Sequence, residues 1–361
     1  MKFKLTKNDH LQVFNLLSKF EKTKLNIKEN ANKDSNSVVF YSLDGKFNAF
    51  VDTIFCQSKW NIMDTDEEFS FSFDLNVFYH AFHNFPSDDI QFVYSSENNT
   101  LVFGNKKTRV AIKTTPCSKP SEYKYSKLES FNCASFTESL KLTSFSCSND
   151  SDDFPYNSIN ISFNDKINAQ SSDKHRISLY GEVDFDHSYV FSKSSADVIS
   201  LYISSLGEAK YNIQNNKLFL SWDHIYLIIS LGSKSEANVF KTLKNYKNSK
   251  QIAFTNIDKN DLSRSIKFIS SITNSIKIEF NFDRDKLTLS SESNDKGAVV
   301  DTLSLENEIM PLKVSYLSSH LLKILEILPE KDLHISLLDF NSFTLMSLTS
   351  DCYTHILFPM E

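Results

Sequence analysis

Short runs of alternating apolar and polar residues recur along the chain, broken at regular places by stretches with helical spacing. Alternation marks half-buried strands and the 3.6-residue period marks helices. The first round predicts a strand at 1–5 and a helix opened by Asn8 or Asp9, with Leu11, Phe14, Leu17 and Phe20 on one face. Strands at 37–42 and 47–55 flank Asp44-Gly45, a hairpin signal. A strand at 69–73, a helix at 75–85 and strands at 90–94, 100–103 and 108–113 follow. The second round predicts a strand at 130–134, a helix at 136–145 and strands at 158–163, 167–171 and 176–180. Next come 189–191, a helix at 195–206 and strands at 209–213, 217–221 and 225–230. The third predicts a strand at 251–254, a helix at 258–272, a hairpin of 276–282 and 286–290 through Asp283-Arg284-Asp285, and a strand at 299–305. It ends with strand 312–314, helix 318–328 and strands 333–337, 342–348 and 353–357.

One unit therefore repeats: strand, helix, about three strands, six times in three pairs. A single helix covers only one face of its sheet, so the helices gather on one side in an α+β architecture. Pro116 and Pro120, and the polar stretch 232–249, place the domain limits at 1–125, 126–248 and 249–361. A pseudo-symmetric array of sheets with exposed edges tends to self-associate or close into a ring.

Composition narrows the classes. The 361 residues carry 39 Lys and Arg against 45 Asp and Glu, a net charge of −6, which excludes a general nucleic-acid coat but not a basic surface on one face. No apolar run reaches the roughly 18 residues of a membrane span, and Met1–Leu5 lacks the apolar core of a signal peptide, so a cytoplasmic protein is expected. Cys56, Cys117, Cys133, Cys147 and Cys352 are scattered without metal-ligand spacing and read as free thiols. With only 6 glycines, no phosphate-cradling loop occurs. His80 and His83 share a helical face but lack a third ligand. Asp173 with His175, and Asp223 with His224, have no nucleophile beside them. No catalytic residue, metal or cofactor is expected: the Asp173–Arg176 bend has the bland reading of a solvated connection between strands, adjacent residues on a strand such as Asp223 and His224 point to opposite faces, and His80 and His83 read as packing positions.

The bend Ser171-Ser172-Asp173-Lys174-His175-Arg176-Ile177 and the ending Tyr353-Thr354-His355-Ile356-Leu357-Phe358-Pro359-Met360 carry more. The first resembles the Ala-Thr-Asp-Gly-His-Arg-Leu segment, and the second the Tyr-Val-Val-Met-Pro-Met ending, of the bacterial DNA polymerase III beta sliding clamps. Together with the Met1-Lys2-Phe3 start and the sixfold repeat, the resemblance spans essentially the whole chain. It implies a homodimer closing a six-domain ring around duplex DNA, without sequence preference, in the nucleoid. It also implies that DNA polymerase and a clamp loader dock short peptides in a pocket between the second and third domains. On this chain the pocket residues would be Tyr156, Ser172, Lys174, His175, Arg176, Ile177, Leu243, Phe340, Ile356, Phe358, Pro359 and Met360. An extended apolar peptide needs such a concave, mostly apolar groove with a few donors at its rim.

The same resemblance assigns the helices to the hole, where His80 and His83 would face DNA unless they merely pack. Lys19, Lys22, Lys24, Lys141, Lys193, Arg264, Lys267 and Lys323 would touch phosphates, each competing with the plainer reading of a solvated helix face. Val110 and Ile112 would meet Ile272 and Thr273 at the dimer seam, unless they merely pack in their own cores. Two departures stand out. Lys174 replaces a family glycine, which narrows the pocket or alters its partners if the position needs positive φ. An acidic run, Asp150 to Asp153, sits where the family often carries DNA-contacting residues, so weaker DNA contact is expected. The alternative is a clamp-fold scaffold that binds proteins without encircling DNA.

Overall fold

The computed structural model describes residues 2–6, 37–52, 56–121, 127–150, 152–163, 166–183, 187–203, 207–222, 225–232, 240, 245–246, 249–293, 295–328, 330–340, 343–350 and 352–360. The helix expected after Asn8, and with it Lys19, Lys22 and Lys24, lies outside these residues. The chain forms two compact units, one of residues 1–137 and 194–231, the other of 138–193 and 232–361.

The first unit holds a four-stranded and a nine-stranded sheet. Its local structure follows from turn and cap chemistry. Asp44 and Gly45 adopt φ 51 and 72, so the strands Ser37–Leu43 and Lys46–Asp52 meet in a tight hairpin. Asn215 and Asn216 do the same between Glu208–Gln214 and Lys217–Trp222. Asp74 caps the helix Leu75–His83 by accepting the Val77 N–H at 2.9 Å. That helix buries Leu75, Phe78 and Phe82 in a phenylalanine-rich core, where Phe78 meets Phe73 at 5.0 Å and Phe103 at 5.6 Å between ring centres.

The strand Cys56–Asp64 was not expected; it lies inside the nine-stranded sheet, between Lys46–Asp52 and Ile225–Ser230. In the sequence, Ser58 breaks the series of apolar residues at alternate positions, Cys56, Trp60 and Ile62, which hides the alternation although Trp60 is fully buried.

The second unit holds an eight-stranded sheet and the paired long strands Lys277–Ser293 and Gly297–Leu317. The expected turn at 283–285 falls within the first of these. Arg284 has φ 54, and beyond it Ser290 donates to the Glu279 carboxylate and Ser291 to the Lys277 carbonyl, so the two arms lie side by side. Gly297–Leu317 runs through the stretch read as two strands, with Met310 exposed and Pro311 inside it. Asp258 caps the helix Lys259–Thr273 through the Asn260 and Asp261 N–H groups, and Asn274 closes it with φ 52. Strand, helix and three strands follow one another at 70–113, 129–180 and 188–230, and again from the long strand Gly297–Leu317 to residue 357. The order is therefore that of a repeated α+β unit.

Candidate functional site

The site lies within the second unit, where the last strand meets the central bend. Tyr353–Leu357 pairs antiparallel with Arg176–Tyr180, placing Ile356 opposite Ile177 and Leu357 opposite Arg176. Ile177 and Ile356 are fully buried in a small core with Leu179, Val190, Phe240, Leu338 and Leu345. Past the strand the chain stays fixed. The Phe358 N–H donates to the His175 carbonyl at 3.1 Å, and the Met360 N–H to the Ser315 carbonyl at 2.8 Å. Phe358, Pro359 and Met360 are each half-buried, and Phe358 meets the Tyr246 ring edge to face at 5.0 Å. Held apolar groups that keep part of their surface in water are what an apolar peptide can cover.

The bend is braced by Asp173. Its carboxylate accepts the His175 and Arg176 N–H groups, each at 3.1 Å, and the Arg176 Nε–H at 2.7 Å. Arg176 lies 4.1 Å over the Phe145 ring and is almost entirely buried, with Nη1 unpartnered. Its side chain thus braces the bend from its buried side. Ser172 is buried and accepts the Lys174 N–H at 3.1 Å, while Lys174 and His175 are exposed. The Lys174 Nζ sits 2.5 Å from Asp153 and 4.6 Å from the Tyr156 ring centre. That hydrogen bond lowers the Asp153 pKa and raises that of Lys174.

Behind the bend runs a buried polar chain. The Ser146 and Ser178 hydroxyls are 2.5 Å apart, and the Ser178 Oγ is 2.6 Å from His355 Nδ1. Burial, aided by the Arg176 charge, pushes the His355 imidazole down to about 3. Burial and then Arg176 bring His320 down to about 4.

Of the twelve expected groove residues, ten fall in this unit as described side chains. Ser172, Arg176, Ile177 and Ile356 are buried; Tyr156, Lys174, His175, Phe358, Pro359 and Met360 keep exposed surface. Phe340 ends the strand Asp332–Phe340, and its side chain, like Leu243, is outside the described residues. Phe145, Tyr246 and His320 join the cluster without having been singled out, and Asp153 and Asp173, read in the sequence as part of an acidic run and as a neighbour of His175, join it as the ion-pair partners of Lys174 and Arg176. Asp153 and Phe145 lie far from the bend in sequence, and only the basic partner at 174 or 176 hinted at them.

The expected cations are dispersed over helices. Lys141 and Lys323 are exposed on Cys133–Ser144 and Ser318–Ile327; Lys193 donates to Asn149 Oδ1 at 2.5 Å. Arg264 and Lys267 are exposed on Lys259–Thr273, Arg264 pairing with Asp261 at 3.1 Å. Among the expected seam residues, Ile112 belongs to the first unit's core, with Val110 packed half-buried against it. Ile272 is exposed, and the buried Thr273 donates to the Ile269 carbonyl. His80 and His83 are exposed, Asp223 and His224 lie outside the described residues, and no three His, Cys, Asp or Glu side chains among those described converge as a metal site. No described helix is long and apolar enough to cross a membrane.

No family model matches the sequence, and no curated protein matches it. Solved structures do. The DNA polymerase III beta subunit of Thermotoga maritima superposes with a TM-score of 0.84 at 15% identity, covering 100% of this chain and 99% of that one. The beta chain of Streptococcus pneumoniae gives 0.85 at 15% identity, covering 100% and 99%. The DNA polymerase sliding clamp of Caulobacter crescentus gives 0.84 at 12% identity with full coverage of both chains. From its first described strand to its last, the chain has the fold of the DNA polymerase III beta sliding clamps.

Proposed function

We propose that this chain is a sliding clamp: two copies close a ring around duplex DNA, and short peptide motifs of the polymerase, the clamp loader and other replication proteins dock in the groove of the second unit. The observation that carries the reading is the pair of backbone hydrogen bonds that fixes the half-buried Phe358-Pro359-Met360 segment, from Phe358 to His175 of the braced 172–177 bend and from Met360 to Ser315. Each chain contributes three similar domains, 1–125, 126–248 and 249–361, each built of two half-units. Topology holds such a ring on DNA, so a few mobile cations touching phosphates suffice and no base is read. Lys141, Lys193, Arg264, Lys267 and Lys323 are the described candidates. The protein acts without chemistry of its own, among the nucleoid DNA of the cytoplasm.

Docking is tested by fluorescence anisotropy with a labelled Gln-Leu-Ser-Leu-Phe peptide, on this protein and on Met360→Ala. Micromolar binding that weakens in the variant is expected. No binding to the unaltered protein contradicts the docking reading.

A further inference from the structure

Lys174 has φ 76, a conformation that glycine adopts freely and that costs a residue with a Cβ. Its side chain nevertheless makes two defined contacts, with the Asp153 carboxylate at 2.5 Å and with the face of the Tyr156 ring at 4.6 Å. Both belong to the 152–157 loop. The loop's own backbone is braced separately, by the Ser148 N–H on the Tyr156 carbonyl at 2.7 Å and the Asn157 N–H on the Asp153 carbonyl at 3.2 Å. Lys174 in turn is tied to the bend through its N–H on Ser172 Oγ. One side chain therefore joins two segments that both carry groove residues, at a position where the backbone would be more relaxed with no side chain at all.

We propose that Lys174 is a positioning residue of the docking groove: it holds Tyr156 against the bend and neutralises Asp153 at the rim, and so sets how tightly an apolar peptide is held. The proposal rests on the docking reading. Its physical basis is twofold. Without the ammonium, the Tyr156 ring loses a cation partner and is free to turn. Asp153 is then left uncompensated beside the exposed carboxylates of Asp150 and Asp152, and covering that rim with an apolar side chain becomes costly. The lowered pKa of Asp153, set first by the Lys174 hydrogen bond, agrees with an ion pair that persists at neutral pH.

The backbone strain makes the idea separable from a merely structural role. Lys174→Gly relieves the strain, so its melting temperature is expected to equal or exceed that of the unaltered protein. Its affinity for the labelled Gln-Leu-Ser-Leu-Phe peptide is expected to fall about five-fold or more, whereas Lys174→Arg keeps a cation in place and stays within about two-fold. Adding Asp153→Asn to Lys174→Gly restores part of the loss, because it removes the bare charge. Equal binding by Lys174→Gly and the unaltered protein overturns this proposal alone. Absence of binding by the unaltered protein overturns the docking reading and this proposal with it.

Discussion

The Arg176 Nε–H donates to the Asp173 carboxylate at 2.7 Å in a bend where the two side chains retain only 8% and 12% of their exposure. The pair is local in sequence, and the same carboxylate also holds two backbone N–H groups of the bend. Removing one member of a buried pair leaves the other charge unmatched. Asp173→Ala is therefore expected to cost about 3 kcal/mol in urea unfolding, well above an exposed ion pair. A loss well under 1 kcal/mol would mean that water already satisfies the guanidinium.

Acid should loosen the second unit through the buried His355 and the half-buried His320. The folded His355 has its pKa pushed down to about 3, below the unfolded value near 6.5, so the folded state disfavours the proton. The sign follows from linkage: the stability is fully present above about pH 6.5 and falls as the pH drops from there towards 3. The slope expected from His355 is about 1.4 kcal/mol per pH unit within that window. His320, brought down to about 4, acts in the same direction. Denaturant unfolding between pH 4 and 7 checks this, with His355→Asn expected to flatten the curve.

Much of this was legible in the sequence because the signals are local. Asp44-Gly45, Asp74 and Asp258 announce a turn and two helix starts by their own chemistry, and the Tyr353–Leu357 strand is bounded as its alternation indicates. The Cys56–Asp64 strand was hidden because Ser58 breaks its series of apolar residues at alternate positions in the sequence. The buried serines Ser158, Ser162, Ser171, Ser178 and Ser188 break the usual apolar signature because sheet neighbours and hydroxyl partners bury them. In the site, the bend and the C-terminal residues could be read from their resemblance to a known motif. The grip of Asp153 on Lys174 and of Phe145 on Arg176 could not, since both contacts span long stretches of chain and depend on side-chain direction.

The cations on Lys259–Thr273 offer a test of DNA contact. Arg264 and Lys267 are exposed, and the pair of Arg264 with Asp261 is exposed too, so both can turn to a phosphate. Replacing both by Ser is expected to reduce the slope of log affinity against log salt by about one or two, alike for every duplex sequence. Filter binding across a salt series measures it. An unchanged slope would remove these two residues from the DNA-contacting set.

The most direct test of the clamp reading is electron microscopy of the purified protein at micromolar concentration. A sliding clamp of this fold should give closed rings of two chains around an open centre. Single open crescents at every concentration, with no ring, would contradict encirclement of DNA by this chain alone.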